Sequence, residues 1–150
     1  MVAEGDVIGG SVTDDKALNI LLVEDDQVDV MNVQRAFDKN RISNPLFVAS
    51  DGRDALEMLR DGRVPSDRRI VLLDLNMPRM SGIEFLRELR KDPVLHRTPV
   101  VVLTTSNDER DKVEAYDLNV AGYLLKPVTF MNFVELMAAL NKYWTLVELP

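Results

Sequence analysis

The sequence predicts an α/β protein, a doubly wound, five-stranded parallel sheet with five helices covering its two faces. Three observations lead there. Short apolar runs alternate with longer stretches in which apolar residues recur at helical spacing. The runs are nearly continuous in apolar character, as strands covered on both sides are. Each run passes through a polar turn into the next helical stretch, and such βα units, joined by right-handed crossovers, lie parallel in one sheet.

The elements follow in order. Residues 1–16 mix Gly, Asp, Val and Ser without a period and read as a loose leader. Leu18 to Val23 is the first strand, ending at Glu24-Asp25-Asp26. Val30, Val33 and Phe37, interleaved with Gln34, Arg35 and Asp38, predict a helix over 26–40, which Asn44-Pro45 breaks. Leu46 to Ala49 is the second strand. Ser50-Asp51-Gly52 can cap a helix that turns Ala55, Leu56 and Leu59 inward. Asp61-Gly62 ends it, and Val64 to Arg68 reads as a polar loop. Ile70 to Leu73 is the third strand and runs straight into Asp74. After Pro78, Ser81-Gly82-Ile83-Glu84 fits a capping box, with Ile83, Leu86 and Leu89 as the apolar stripe and Asp92-Pro93 as the stop. Pro99 to Thr104 is the fourth strand. Ser106-Asn107-Asp108-Glu109 reads as a second capping box, opening a helix to about Leu118. Ala121 to Leu125 is the fifth strand and Lys126-Pro127 a turn. Phe130, Phe133, Met137, Leu140 and Trp144 mark the last helix.

Bulk properties narrow the class. A chain of 150 residues fits one domain with a sizeable core. With no cysteine there is no disulfide framework and no thiolate metal site. Met1 to Asp15 lacks the apolar stretch of a signal peptide, and no apolar run reaches membrane-spanning length, which reads as cytoplasmic. A net charge of −7 disfavours nucleic acid, which wants a basic face. Most of that acidity reads as serving solubility.

Parallel strands bring their C-terminal ends to one edge, where ligands of open α/β sheets bind. Strand one delivers Glu24, Asp25 and Asp26 there, strand three Asp74, strand four Thr104 and Thr105, and strand five Lys126. Singly these are a capped turn, a turn-former, a β-branched strand residue and a surface lysine. Together they place several carboxylates, a hydroxyl and an ammonium in one crevice. Clustered carboxylates stay ionised only if a cation joins them. All-oxygen donors without His or Cys select a hard ion such as Mg²⁺, which keeps waters and shares phosphate oxygens. Mg²⁺, a lysine and a threonine hydroxyl suit phosphoryl transfer. No G-x-x-x-x-G-K-[ST] loop is present, so a nucleotide is not the obvious donor. A carboxylate can itself be the nucleophile, and Asp74 is the best placed.

Four motifs now carry a resemblance: L-L-V-E-D-D ending at Asp26, V-L-L-D-L-N-M-P with Asp74 as its acid, V-V-V-L-T-T ending at Thr105, and Y-L-L-K-P beginning at Tyr123. Together they resemble the receiver domain of bacterial two-component response regulators, as do the separations of 30 residues from Asp74 to Thr104 and 22 from Thr104 to Lys126. The resemblance covers residues 17–142 and leaves 143–150 as a C-terminal extension. It implies the flavodoxin-like strand order 2-1-3-4-5. It makes Asp74 the phosphoacceptor, charged by a phosphohistidine on a partner sensor histidine kinase. Asp25 would bind Mg²⁺ directly and Glu24 mainly through water, with Asp74 and the Asn76 main-chain carbonyl as further ligands. Asp26 would stand just outside, at the start of the first helix. Lys126 would pair with Asp74 and then with the phosphoryl oxygens, across a cis bond to Pro127. Thr104 would move to the phosphate and Tyr123 would rotate inward behind it, biasing a two-state surface on helix four, strand five and helix five. The implied protein is a signalling phosphoacceptor that promotes its own phosphorylation and dephosphorylation rather than a turnover enzyme. Its output would pass by contact to an effector or phosphotransfer protein.

Three positions depart from the family pattern. Glu24 stands for the usual Asp and should retain metal. Thr105 is larger than the usual residue and should restrict water at the phosphoryl group. Gly122 lacks the acid that many dimers with a charged helix-four/helix-five face carry. The segment Lys142 to Pro150, with V-V-V-L-T-T-S and Y-D-L-N-V, is similar to stand-alone regulators paired with bacterial phytochrome kinases, which form homodimers through helix four, strand five and helix five. Trp144 accordingly reads either as part of an exposed apolar cluster or as a core residue. Other functions have weaker support. An Mg²⁺-dependent phosphohydrolase would want a second acid where Asn76 stands. A flavin-binding domain would not put Glu24-Asp25-Asp26 against a phosphate. A receiver-like scaffold that is never phosphorylated is the remaining alternative. His96, between Pro93 and Pro99, reads as inert.

Overall fold

The computed structural model describes residues 18–150, so the leader expected over 1–16 lies outside the described residues. Ten elements alternate: β1 (Asn19–Val23), α1 (Gln27–Lys39), β2 (Leu46–Ala49), α2 (Gly52–Arg60), β3 (Arg69–Leu73), α3 (Gly82–Lys91), β4 (Val100–Thr104), α4 (Glu109–Asp117), β5 (Gly122–Leu125) and α5 (Phe130–Leu146). The strands pair in parallel in the order β2-β1-β3-β4-β5. This is the 2-1-3-4-5 order implied by the family resemblance.

The period of two along each strand divides one apolar sheet between two helical layers. Ile20, Leu22, Ile70, Leu72, Val101 and Leu103 face α1 and α5, meeting Val33, Phe37, Phe133, Met137 and Trp144. Leu21, Val23, Val71, Leu73, Val100 and Val102 face the other way, onto Leu56, Leu59, Phe85, Leu86 and Ala115 of α2, α3 and α4. Trp144 is 1% exposed, with its ring 6.2 Å from that of Phe37, so it is a core residue. α5 runs through Leu146, and Val147 and Leu149 pack onto the same layer. Asn40 fastens α1 to α5 by donating from Nδ2 to the Val134 carbonyl at 2.8 Å. Arg90 does the same for α3. It donates to the Leu118, His96, Thr98 and Asn119 carbonyls at 2.7, 2.8, 2.7 and 3.2 Å.

Local chemistry sets the helix starts. Asp26 caps α1 and Asp51 caps α2, each accepting a main-chain N–H at 2.8 Å. Ser81 and Glu84 form the expected reciprocal box on α3. Three local expectations are corrected. α4 is capped by Asp108, which accepts the Arg110 N–H at 2.8 Å, because the Ser106 hydroxyl is turned to Asp111 at 2.6 Å. Val64 is fully buried between α2 and β3, a single apolar side chain in a polar run that leaves no periodic signal. The Lys126–Pro127 bond is trans, since the described residues contain no cis peptide. Trans is the lower-energy form of an X–Pro bond. Lys126 N still pairs with the Thr104 carbonyl at 2.8 Å, and the chain needs only a short turn to the Thr129 cap of α5.

Candidate functional site

Strand register brings the site residues level. Val23 pairs with Leu73 and Thr104 with Leu125, so each side chain of interest sits at or one residue past the last pair. The main chain continues the ladder there. Glu24 N donates to Ala49 O at 2.9 Å and Asp74 N to Val23 O at 3.1 Å. These bonds fix two acids at the ends of adjacent central strands. Burial follows, with Glu24 2%, Asp74 4% and Thr104 0% exposed, while Asp25 projects into solvent.

Burying two carboxylates requires a cation or protons. Lys126 supplies the first. Its Nζ lies 2.6 Å from Glu24 Oε1, 2.7 Å from Asp29 Oδ2 and 3.5 Å from Asp74 Oδ2. Burial opposes the ammonium charge, but the bonds to Asp29 and Glu24 outweigh it and raise the Lys126 pKa. Glu24 remains undercompensated. Burial and the nearby Asp74 charge push its carboxyl up to about 7, against the pull of Lys126 and the Asp26 N–H. One lysine therefore does not balance the cluster.

One oxygen each from Glu24, Asp25 and Asp74 lies within 4.8 Å of the others. The donors are all oxygens, two buried and one open to water, with no imidazole or thiolate. That set fits a hard divalent cation that retains some of its waters. Asn76 stands in the loop beyond Asp74, its N–H 3.4 Å from Asp74 Oδ1 and its amide 3.5 Å from the Thr105 hydroxyl.

The loop that follows Asp74 is held from below and from the side. Gly82 N donates to Leu75 O at 3.0 Å, and a Cβ on Gly82 would stand 2.5 Å from Asp74 O. Only glycine allows α3 to start this close to the strand end. Arg79, in the left-handed region at φ 65°, pairs with Asp51. The Asp54 N–H and the Arg79 guanidinium hold the Asp51 carboxyl below the usual range.

Thr104 and Tyr123 meet the same residue. The Ser106 N–H donates to Thr104 Oγ1 at 3.3 Å, and the Tyr123 hydroxyl donates to Ser106 O at 2.8 Å. Asp26 lies outside the cluster as the α1 cap, and His96 is exposed beside Asp92 in the α3–β4 loop. Two contributors were missed in sequence. Ser106 was read as a cap. Asp29 carries no signal in the strand-end pattern, although it stands three residues after the Asp26 cap, in the first turn of α1. A cavity of about 650 Å³ opens at the opposite edge, between the end of α2 and the start of β3. No helix among the described residues is long and apolar enough to cross a membrane.

A parallel 2-1-3-4-5 sheet with an acidic crevice facing a lysine and a threonine defines the receiver class. Comparison with known proteins agrees: the family model for the response regulator receiver domain matches residues 20–140, and the chain belongs to that family. It is 38% identical over 127 residues to the probable methanogenesis regulatory protein FilR2 of Methanothrix harundinacea (strain 6Ac), spanning 83% of this chain and 82% of that protein. Response regulator Rcp1 of Synechocystis sp. (strain ATCC 27184 / PCC 6803 / Kazusa) is 37% identical over 128 residues, spanning 83% of this chain and 87% of that one. A solved structure of the manganese-bound form of Rcp1 matches with a TM-score of 0.75 at 37% identity, over 87% of this chain and 97% of that one. The phosphorylated cyanobacterial phytochrome response regulator RcpA matches with a TM-score of 0.80 at 34% identity, over 89% of this chain and 99% of that one.

Proposed function

We propose that this receiver accepts a phosphoryl group on Asp74 from a phosphohistidine of a partner sensor histidine kinase and signals through Thr104 and Tyr123. The carrying observation is the convergence of the Glu24, Asp25 and Asp74 oxygens within 4.8 Å of one another, with Lys126 Nζ 3.5 Å from Asp74. An Asp74 carboxylate oxygen forms the new bond to phosphorus as the P–N bond to the donor imidazole breaks. The leaving nitrogen keeps the bonding pair and takes up a proton. Lys126 offers an ammonium to the charge spread over the phosphoryl oxygens, and the Thr104 hydroxyl donates to one of them. Glu24, Asp25, Asp74 and the Asn76 main-chain carbonyl would hold Mg²⁺. The bound ion supplies neutralising charge for the phosphoryl oxygens and the crowded carboxylates.

The undercompensated Glu24 and the all-oxygen donor set support the metal, and the manganese-bound Rcp1 structure is in keeping with it. The similarity to RcpA, a cyanobacterial phytochrome response regulator, supports a phytochrome-type kinase as the donor, and on this reading the transfer takes place in the cytoplasm. Exposed Val113 and Tyr116 on α4 and Leu125 on β5 support a homodimer through α4, β5 and α5. On this reading residues 17–142 are the receiver, residues 143–150 extend it, and output passes to an effector or phosphotransfer protein.

The test is intact-mass measurement after incubation with acetyl phosphate and Mg²⁺. A phosphoryl increment lost in Asp74→Asn and with chelator is expected. No increment in the parent protein would leave the unphosphorylated scaffold as the better reading. Light scattering with and without a phosphoryl analogue tests the dimer, and a monomer mass under both conditions would end it.

A further inference from the structure

Lys126 is paired chiefly with carboxylates other than the proposed nucleophile. Its Nζ makes two short contacts, 2.6 Å to Glu24 and 2.7 Å to Asp29, and stands 3.5 Å from Asp74. At 3.5 Å and beyond, a charge-assisted hydrogen bond is largely lost, whereas 2.7 Å is its full strength. Asp29 is fixed in place by the structure around it. It sits in the first turn of α1, whose cap is Asp26. Its neighbours Val30 and Val33 are buried against the sheet, and Asn40 fastens the helix to α5. Its side chain is 23% exposed, so water screens the pair only in part.

We propose that Asp29 is a positioning residue that draws Lys126 toward itself and Glu24 while leaving it only at ion-pair distance from Asp74, and that phosphorylation of Asp74 moves the ammonium from Asp29 to a phosphoryl oxygen. The proposal rests on the phosphoacceptor reading and adds a restraint to it. An ammonium has three protons for three carboxylates. A phosphoryl group on Asp74 adds charge and acceptor oxygens on the Asp74 side only. The balance then tips from Asp29 to the phosphoryl group, and the first turn of α1 loses its tie to the β5–α5 turn. Phosphorylation is thereby transmitted to α1, where Val28 and Met31 are exposed.

The test compares the parent chain with Asp29→Asn and Asp29→Glu. Asparagine keeps the shape and removes the charge, and glutamate restores the charge. The first readout is the ¹⁵N resonance of the Lys126 Nζ in the metal-free, unphosphorylated proteins, assigned with Lys126→Arg. Asp29→Asn is expected to shift it, and Asp29→Glu to return it toward the parent position. The second is the initial rate of phosphoryl uptake from acetyl phosphate with Mg²⁺, followed by intact mass. Asp29→Asn is expected to be faster by roughly tenfold, the scale of one charged hydrogen bond traded for another, and Asp29→Glu to be near the parent. An unshifted resonance, or uptake by Asp29→Asn no faster than the parent, overturns the proposal. If the parent gains no phosphoryl group, the phosphoacceptor reading fails and the transfer of Lys126 fails with it, while the resonance still decides whether Asp29 holds the lysine.

Discussion

Among Gly52, Gly82 and Gly122, Gly82 should be the most damaging place to add a single methyl. A Cβ there would stand 2.5 Å from Asp74 O, 2.6 Å from Leu75 Cα and 2.8 Å from Leu75 Cδ2. Ordinary contact begins near 3.4 Å, so the closest approach falls short by 0.9 Å. Two of the three obstacles are main-chain atoms of the β3–α3 connection. Relief therefore requires moving either α3 or the segment that carries Asp74. Overpacking of this kind costs about 1–3 kcal/mol. Alanine returns up to about 1 kcal/mol of helix propensity, and less at a first-turn position. The net expectation is a loss of about 2 kcal/mol, which in a chain of this size lowers Tm by roughly 4–8 °C. Gly52 and Gly122 provide an internal scale. A Cβ on Gly52 would meet Met80 Cγ and Phe85 Cβ at 2.9 Å, and the flexible Met80 can yield. At Gly122 the nearest atom is Val101 Cγ1 at 4.0 Å. Urea unfolding of the three Gly→Ala variants should rank Gly82 as most destabilised, Gly52 next and Gly122 near the parent. A Gly82→Ala protein as stable as the parent would refute the reasoning.

Arg90→Lys should lose about 2–3 kcal/mol, because an ammonium cannot reach the four carbonyls that the guanidinium joins, and urea unfolding reads this directly. Glu24 has a raised folded-state pKa of about 7 against 4.5 unfolded, so the folded state binds more protons between those values. From this group the metal-free protein should lose stability as pH rises through that window. Glu24→Gln should remove that part of the slope in urea midpoints taken at pH 5 and pH 7.5, and an unchanged slope would contradict the assignment. Thr105→Ala should shorten the lifetime of the phosphorylated form, followed by intact mass after the phosphodonor is removed. An equal lifetime would discard the idea that Thr105 excludes water.

The central strands β1, β3 and β4 were legible because they are covered on both faces. Ile70 to Leu73 and Val100 to Leu103 had to be apolar throughout, and the first of these runs, ending in the acid Asp74, has few other readings. The edge residues Glu24, Asp74, Thr104 and Lys126 were legible for the same reason, since parallel order places every strand end together. What stayed hidden does not depend on period. Val64 is one buried side chain in a polar run. Asp108 and Ser106 both look like caps, and only the Ser106–Asp111 bond decides between them. Asp29 belongs to the site through its contact with Lys126, 97 residues further along the chain, which no local period records. The trans bond before Pro127 departs from the cis isomer that the family resemblance implies, although the residues match.

The position of Ser106 gives a physical reason for reading Thr104 and Tyr123 as one device. Thr104 Oγ1 accepts the Ser106 N–H, and Ser106 O accepts the Tyr123 hydroxyl. A Thr104 hydroxyl drawn toward a phosphoryl oxygen on Asp74 weakens its hold on Ser106 N, and the β4–α4 loop must follow or leave a polar group unpaired. If the loop follows, the carbonyl that holds Tyr123 moves with it. On the proposed reading the Tyr123 ring would then repack against α4, where Val113 and Tyr116 are exposed. The coupling needs no long pathway: one residue joins the hydroxyl at the sheet edge to the aromatic ring behind it. Tyr123→Phe keeps the ring and removes the bond to Ser106, and in a double-mutant cycle with Thr104→Val it should give a smaller loss than the sum of the two single changes. Strict additivity of urea stabilities would separate the two residues.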